Sequence, residues 1–317
     1  MVSRFRIPWP LRLGAGVVLL AAVLLYYDVA AAVSALGETR WWLAAPAIAG
    51  LVAVHLLGAV AWRTLAVTLT SSELRWRTAI RTFYAAQAIG TITPAGIGSD
   101  AYRARATWTD RRTWKRALAP VAVHRAASYL SLALLAAVAA LFVPVAGTVR
   151  LGLAAVPVLA IVAIGAVMVA RWRGRTTGIV VDRAGALAAV TAVALMAAFH
   201  VIAVGLTCVL VVALQPGVEV ATVVAALMVA RMATFLPLTP AGIGLQESAF
   251  ALLLPEAGVS AEVAVAASAL TRLATMATLV VGALALASGR HRPEAGPRPA
   301  QTRPAHVKGG SPSVADS

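Results

Sequence analysis

One hexapeptide occurs twice in this chain. Thr93-Pro94-Ala95-Gly96-Ile97-Gly98 returns letter for letter as Thr239-Pro240-Ala241-Gly242-Ile243-Gly244. Both copies interrupt long apolar stretches, and an acid follows each one, Asp100 and Glu247. An arginine follows each acid at the same distance, Arg125 and Arg272, 25 residues further on. Proline withholds an amide donor and glycine tolerates positive φ, so neither copy continues a regular helix. Inside a bilayer the freed backbone groups must face protein or a wet cavity, because lipid cannot satisfy them. Two such breaks at matched positions resemble the paired discontinuous segments of an internally repeated membrane transporter.

A bilayer is the solvent that the composition demands. Of 317 residues, 61% are hydrophobic and 12% charged; a soluble domain carries about twice that share of charge. Six runs read as full crossings: about Leu11–Tyr27, Trp41–Ala61, Ala117–Val143, Leu151–Ala170, Ala186–Leu214 and Val259–Ala287. Each approaches or exceeds the ~20 residues that span the hydrocarbon as a helix. Two more stretches, about Thr78–Thr107 and Val220–Leu254, are broken by the repeated motif. Arg4, Arg6 and Arg12 before the 15-residue apolar run from Leu13 to Tyr27 also fit a secretory signal, with Val33-Ser34-Ala35 as a weak cleavage site. An uncleaved first span is the preferred reading, since many spans follow.

The net charge of +15 has its explanation in topology and anionic lipid, and no nucleic-acid partner is expected. If the two broken stretches enter and leave on one face, 22 of the 27 Lys and Arg residues fall on the cytoplasmic side. They lie in the N-terminus, Arg63 to Arg81, Arg103 to Arg116, Arg171 to Arg183, and the tail. Arg40 and Arg150 remain outside, while Arg125, Arg231 and Arg272 lie in or beside apolar runs. A crossing over Thr78–Thr107 would export the Arg103 to Arg116 cluster, against the positive-inside rule. Three full crossings then separate the hairpins, so they enter from opposite faces.

The expected fold is therefore an all-α polytopic membrane protein with six full transmembrane helices and two broken re-entrant hairpins in an inverted repeat. Residues 1–288 form the membrane domain, with repeat halves at about 41–143 and 186–287. Residues 289–317, rich in Pro, Gly, Arg and Ser, read as a disordered cytoplasmic tail. Both termini are expected in the cytoplasm. Trp41, Trp42, Trp62 and Trp172 fall at span ends, where interfacial aromatics belong. Ser72 to Arg81 suits an interfacial entry helix.

The motif has chemistry as well as shape. After each break a new helix starts, with Ser99 or Asp100 as the expected cap of the first. Its N-terminus presents free N–H groups and positive potential, a seat for an anion. A charge at mid-bilayer costs about 3 kcal/mol, so Arg125 and Arg272 need partners. The expectation is Glu247 and Asp100 respectively, or a phosphate held bidentately. Arg231 precedes Thr239 by eight residues, about 12 Å of helix, and its counterpart under the repeat is Ala85. The candidate substrate-binding set is Thr93, Pro94, Gly96, Gly98, Asp100, Arg103, Arg125, Arg231, Thr239, Pro240, Gly242, Gly244, Glu247 and Arg272.

Catalytic and cofactor signals are missing. No P-loop, nucleophile elbow, G-x-G-x-x-G fingerprint, CxxC or HExxH occurs. His55, His124 and His200 are too scattered in sequence to propose a metal site, and no cofactor is expected. Cys208, the single cysteine, permits no intrachain disulfide.

These residues resemble a known family. The first motif with Asp100 and Arg103, the Val121-Ala122-Val123-His124-Arg125 segment, and Arg231 followed by Leu236-Pro237, Gly242-Ile243-Gly244 and Glu247 look like the lysylphosphatidylglycerol synthase transmembrane family. This is the flippase-like domain also found in the multiple peptide resistance factor, and the similarity covers about Leu11 to Ala287. Relatives often carry an acid where this chain has His124. The resemblance implies translocation of an anionic phospholipid or lipid-linked intermediate across the cytoplasmic membrane. It does not imply aminoacylation, which a separate soluble domain performs in two-part relatives, so a non-enzymatic role is expected. High alanine, valine and arginine with almost no lysine fit a bacterium with a GC-rich genome, hence a bacterial inner membrane. Alternatives are a noncatalytic partner of a separately encoded lipid- or sugar-modifying enzyme, and an ion-coupled small-solute transporter.

Overall fold

The computed structural model describes residues 29–93, 96–108, 114–141, 183–233 and 244–288. The expected first and fourth crossings, Pro94, Thr239 to Ile243, Trp172 and the tail lie outside the described residues. Ten α-helices and no strand occur among the described residues: α1 Val29–Gly37, α2 Trp41–Ala53, α3 His55–Thr70, α4 Trp76–Ile92, α5 Ile97–Thr107, α6 Trp114–Ala140, α7 Arg183–Leu214, α8 Val220–Ala233, α9 Leu245–Leu253 and α10 Ala261–Ala287.

Four of the described helical stretches are long and apolar enough to cross a membrane: Trp41–Thr70, Arg116–Ala140, Arg183–Leu214 and Ala261–Ala287. Each matches an expected crossing. The first is longer than expected, because α2 and α3 meet at a single turn residue, Val54, and α3 continues to Thr70. Its stop is local: Ser71 adopts left-handed backbone, with φ of 53°.

The broken stretches differ in kind. Helix α4 has 17 residues and α5 has 11, or ~25 Å and ~16 Å at 1.5 Å per residue. Helices α8 and α9 have 14 and 9 residues, or ~21 Å and ~14 Å. None alone spans the ~30 Å hydrocarbon core. Within each stretch the two arms pack on each other, α5 on α4 and α9 on α8.

Helix α7 is the central post, packed against α2, α3, α6, α8 and α10. Leu51, Leu65, Met196, Phe199 and Leu270 fill one side of it; Leu132, Cys208, Val211, Leu227, Phe250 and Leu254 fill the other. The most extensive helix pair is α4 on α10, which joins the first broken stretch to the last span. Gly282 allows that approach, since a Cβ there would run into the Tyr84 carbonyl oxygen and the Ala88 methyl.

Two expectations fail. Trp62 is no interfacial anchor: it is fully buried beside Phe83 and Val121, because α3 extends past it. Trp41 and Trp42 are exposed as expected. Arg63 is likewise no loop cation. It lies on α3, donates Nε–H to the Leu74 carbonyl at 2.8 Å, and stacks over Trp76 at 4.0 Å. Helix α4 begins at Trp76, after an irregular segment.

Candidate functional site

Both described half-helices start on a glycine with positive φ, Gly96 at 66° and Gly244 at 80°. That backbone is strained for any residue with a Cβ. At Gly96 the glycine has a second reason, since a Cβ would lie 2.8 Å from Arg125 Nη2. Arg125 thus rests against the break itself.

The expected caps are displaced. Ser99 and Asp100 sit within the first turns of α5, and neither serves as its N-cap, which is Gly96. The bond across the break comes from Thr93: its Oγ1 accepts from Gly98 N–H at 3.1 Å and donates to the Ile89 carbonyl at 2.9 Å. Gly98 is packed so closely on Thr93 and Ile89 that a Cβ would approach them at 2.6 to 2.8 Å. At the second break Glu247 reaches back, and its Oε2 accepts from Gly244 N–H at 2.8 Å. This is the acidic arm of a capping box, with glycine in the cap position. Asp100 is thereby freed from capping to hold arginines.

The charge pairing is local, and the crosswise expectation is corrected. Arg125 Nε donates to Asp100 Oδ2 at 2.9 Å, not to Glu247. Arg272 donates twice to Glu247 Oε1, from Nη2 at 2.6 Å and Nε at 3.0 Å, not to Asp100. The equal spacing explains this. Each acid lies on a short helix that packs against the next long one, α5 on α6 and α9 on α10. The two pairs differ in accessibility: Arg125 and Asp100 are 34% and 20% exposed, Arg272 and Glu247 only 17% and 10%.

Arg103 is drawn in among the helices rather than left in solvent. It is buried, donates from Nη2 to Asp100 Oδ1 at 2.8 Å, and packs its guanidinium over Phe83 at 5.5 Å. Its Nη1 lies 3.2 Å from His124 Nδ1. Guanidinium has donors only, so that nitrogen accepts and the proton of His124 sits on Nε2. His124 is therefore a neutral acceptor for Arg103, and Asp100 supplies the carboxylate for two arginines.

Arg231 lies apart from these pairs. Its Nε donates to His200 Nδ1 at 3.4 Å, and its guanidinium faces the Phe199 ring at 5.5 Å. By the same reasoning His200 carries its proton on Nε2, which donates to the Ser128 carbonyl at 3.2 Å. The expected 12 Å helical ruler from Arg231 to Thr239 does not apply, because α8 ends at Ala233. Thr239, Pro240 and Gly242 lie outside the described residues, as does Pro94. Ala85, the repeat counterpart of Arg231, is a buried core residue.

Sequence reasoning missed the polar partners of the arginines. His200 and Ser128 are far from Arg231 in the chain, and no spacing rule links them. His55 and His200, scattered in sequence, both make edge contacts with Phe199, at 5.4 and 5.1 Å. Among the described residues no group of three metal-ligating side chains forms. Gln246 was visible as an amide in an apolar run and went unremarked. A small cavity lies beside it, lined by Val204, Thr207, Leu227, Arg231, Gln246, Phe250 and Thr271.

The arrangement is two broken helices, each with a strained glycine start and each tied by a carboxylate to an arginine on the next span. No individual curated protein matches the sequence. The family profile of the lysylphosphatidylglycerol synthase TM region matches residues 11–282. With that match over most of its length, and with its apolar spans, the chain is a multi-pass membrane protein that belongs to the lysylphosphatidylglycerol synthase TM family.

Proposed function

We propose that this chain moves the head group of an anionic phospholipid or lipid-linked intermediate across the bacterial cytoplasmic membrane, while the tails stay in the bilayer. One observation carries the reading: two broken helices in one chain, each with its own arginine–carboxylate pair at the break. Family membership supports a flippase-like role for lipids.

In this reading a phosphate replaces the carboxylate on the guanidinium. Arginine presents parallel N–H groups that match a phosphate bidentately. At the first break Asp100 can release Arg125 without being stranded, since Arg103 still holds Oδ1. The same pair is the more exposed of the two. Head groups therefore load at Arg125 and Gly96, and Arg272 with Arg231 receives them later. The fold has six full spans and two re-entrant hairpins, and its inverted repeat has halves at about 41–143 and 186–287. Both termini face the cytoplasm. The chain transfers no aminoacyl group and uses no cofactor; "synthase" belongs to the family's name.

Purified protein in liposomes with a fluorescent anionic phospholipid in one leaflet tests this. Dithionite-accessible label should redistribute faster than in protein-free vesicles, and Arg125→Ala should slow it. Redistribution only when a second protein is added would instead make the chain a noncatalytic partner of a lipid- or sugar-modifying enzyme. Movement of a small solute but no lipid would favour the solute transporter.

A further inference from the structure

Helices α8 and α9 leave the bundle and return to it at one place. Helix α7 ends at Leu214 and α8 starts at Val220, while α9 ends at Leu253 and α10 starts at Ala261. One side chain joins the two connections. Gln215 Nε2 donates to the Gly258 carbonyl at 3.2 Å, and Gln215 Oε1 accepts from Ser260 N–H at 2.8 Å. Helices α8 and α9, which pack on each other, thus form one body attached to the bundle through two adjacent connections.

Each connection holds a glycine with positive φ, Gly217 at 86° and Gly258 at 79°. Crowding is not the reason for either. Unlike at Gly282, a Cβ built at these positions would meet nothing within 4 Å. Only the backbone conformation asks for glycine there, and a glycine in open space can absorb the φ and ψ change of a hinge. At Gly258 that freedom is checked. Gln215 holds both its carbonyl and the amide two residues on, and this fixes the ψ of the glycine.

The ties that resist a swing are polar. Leu227, Phe250 and Leu254 share one apolar cluster with Cys208 and Val211 of α7, but lipid tails are as apolar as these side chains, so no hydrophobic force draws such helices together in a bilayer. The pair of Glu247 and Arg272 ties the start of α9 to α10, and Gln215 secures the other end.

We infer that α8 and α9 are a hinged flap that swings as one body about Gly217 and Gly258, with the Gln215 side chain as its latch. When the latch opens, the flap parts from α7 and uncovers the face around Cys208. The motion is a property of the fold and does not depend on what the chain transports.

Cys208 is the chain's single cysteine and is 4% exposed, which makes it the reporter. The full chain in lipid nanodiscs is treated with a small thiol reagent, and modification is followed by mass spectrometry. Where closing outpaces reaction, the rate measures the open fraction. Gln215→Ala should raise it roughly tenfold to a hundredfold, the equilibrium factor of two ordinary hydrogen bonds. A second reporter separates flap opening from general loosening. Ala192 lies on α7 in the apolar cluster away from the flap and is fully buried. In a Cys208→Ala background, Ala192→Cys should react at the same slow rate with and without Gln215→Ala. An unchanged Cys208 rate in Gln215→Ala would overturn the inference. Equal acceleration at both reporters would overturn it too, by making Gln215 a general stabiliser. The assay measures no lipid movement, so its outcome is independent of the lipid reading.

Discussion

Removing the arginine from the second ion pair should cost far more than removing it from the first, although the two share one spacing in the sequence. Arg272 makes two bonds to Glu247 Oε1, and both side chains are largely shielded, at 17% and 10% exposure. Arg272→Met leaves that carboxylate with the Gly244 amide as its remaining donor on this side. Stranding one member of a buried pair costs about 3–5 kcal/mol. Arg125→Met strands less. Asp100 keeps Arg103, and the pair is 34% and 20% exposed, which brings the cost toward the ~1 kcal/mol of solvent-screened pairs. The expected gap between the variants is thus about 2–4 kcal/mol. Equilibrium unfolding in mixed micelles, titrated with SDS and followed by the fluorescence of the eight tryptophans, measures it. Adding Glu247→Gln to Arg272→Met should recover most of the loss, because a neutral amide needs no counter-charge. Equal losses in the two single variants, or a loss below about 1 kcal/mol at Arg272, would refute the claim that burial separates the two ion pairs.

Gly96→Ala should destabilise the fold by about 1–2 kcal/mol, the cost of left-handed backbone with a Cβ, and should displace Arg125, whose Nη2 lies 2.8 Å from that Cβ position. Gly96→Leu and Gly242→Leu should each abolish lipid redistribution in liposomes while inserting normally; near wild-type rates would reduce the motifs to packing kinks. Gly282→Leu should separate α4 from α10 and cost at least the ~1–3 kcal/mol of core overpacking, since the Tyr84 carbonyl blocks the new side chain; an unchanged unfolding midpoint would contradict the close helix contact. In a Cys208→Ala background, cysteines placed between Trp108 and Trp114 should resist impermeant thiol reagents in intact cells, while one at exposed Gly217 should react. External labelling between Trp108 and Trp114 would overturn the proposed re-entrant arrangement.

What the sequence settled by itself was membrane class, helix breaks and matched spacing. Sixty-one per cent apolar residues leave few folds other than spanning helices, because lipid offers no partner to an open backbone. The breaks were legible because proline and glycine act locally, through a missing donor and a permitted φ, and both described half-helices start at the glycines of the motif. The importance of Asp100, Arg125, Glu247 and Arg272 was also visible, from an equal separation of 25 residues. Partner choice was not, since spacing along a chain does not say which helices lie side by side. Only the packing of α5 on α6 and of α9 on α10 made each pair local. The same holds for Trp62 and Arg63, which lie just past the expected end of a span at Ala61 and fall inside the helix because α3 runs on to Thr70. Arg103 against His124, Arg231 against His200, and the cavity beside Gln246 join side chains from different helices. Tertiary structure alone decided them, because hydrogen bonds and exclusion of solvent depend on distance in space, and the sequence records only distance along the chain.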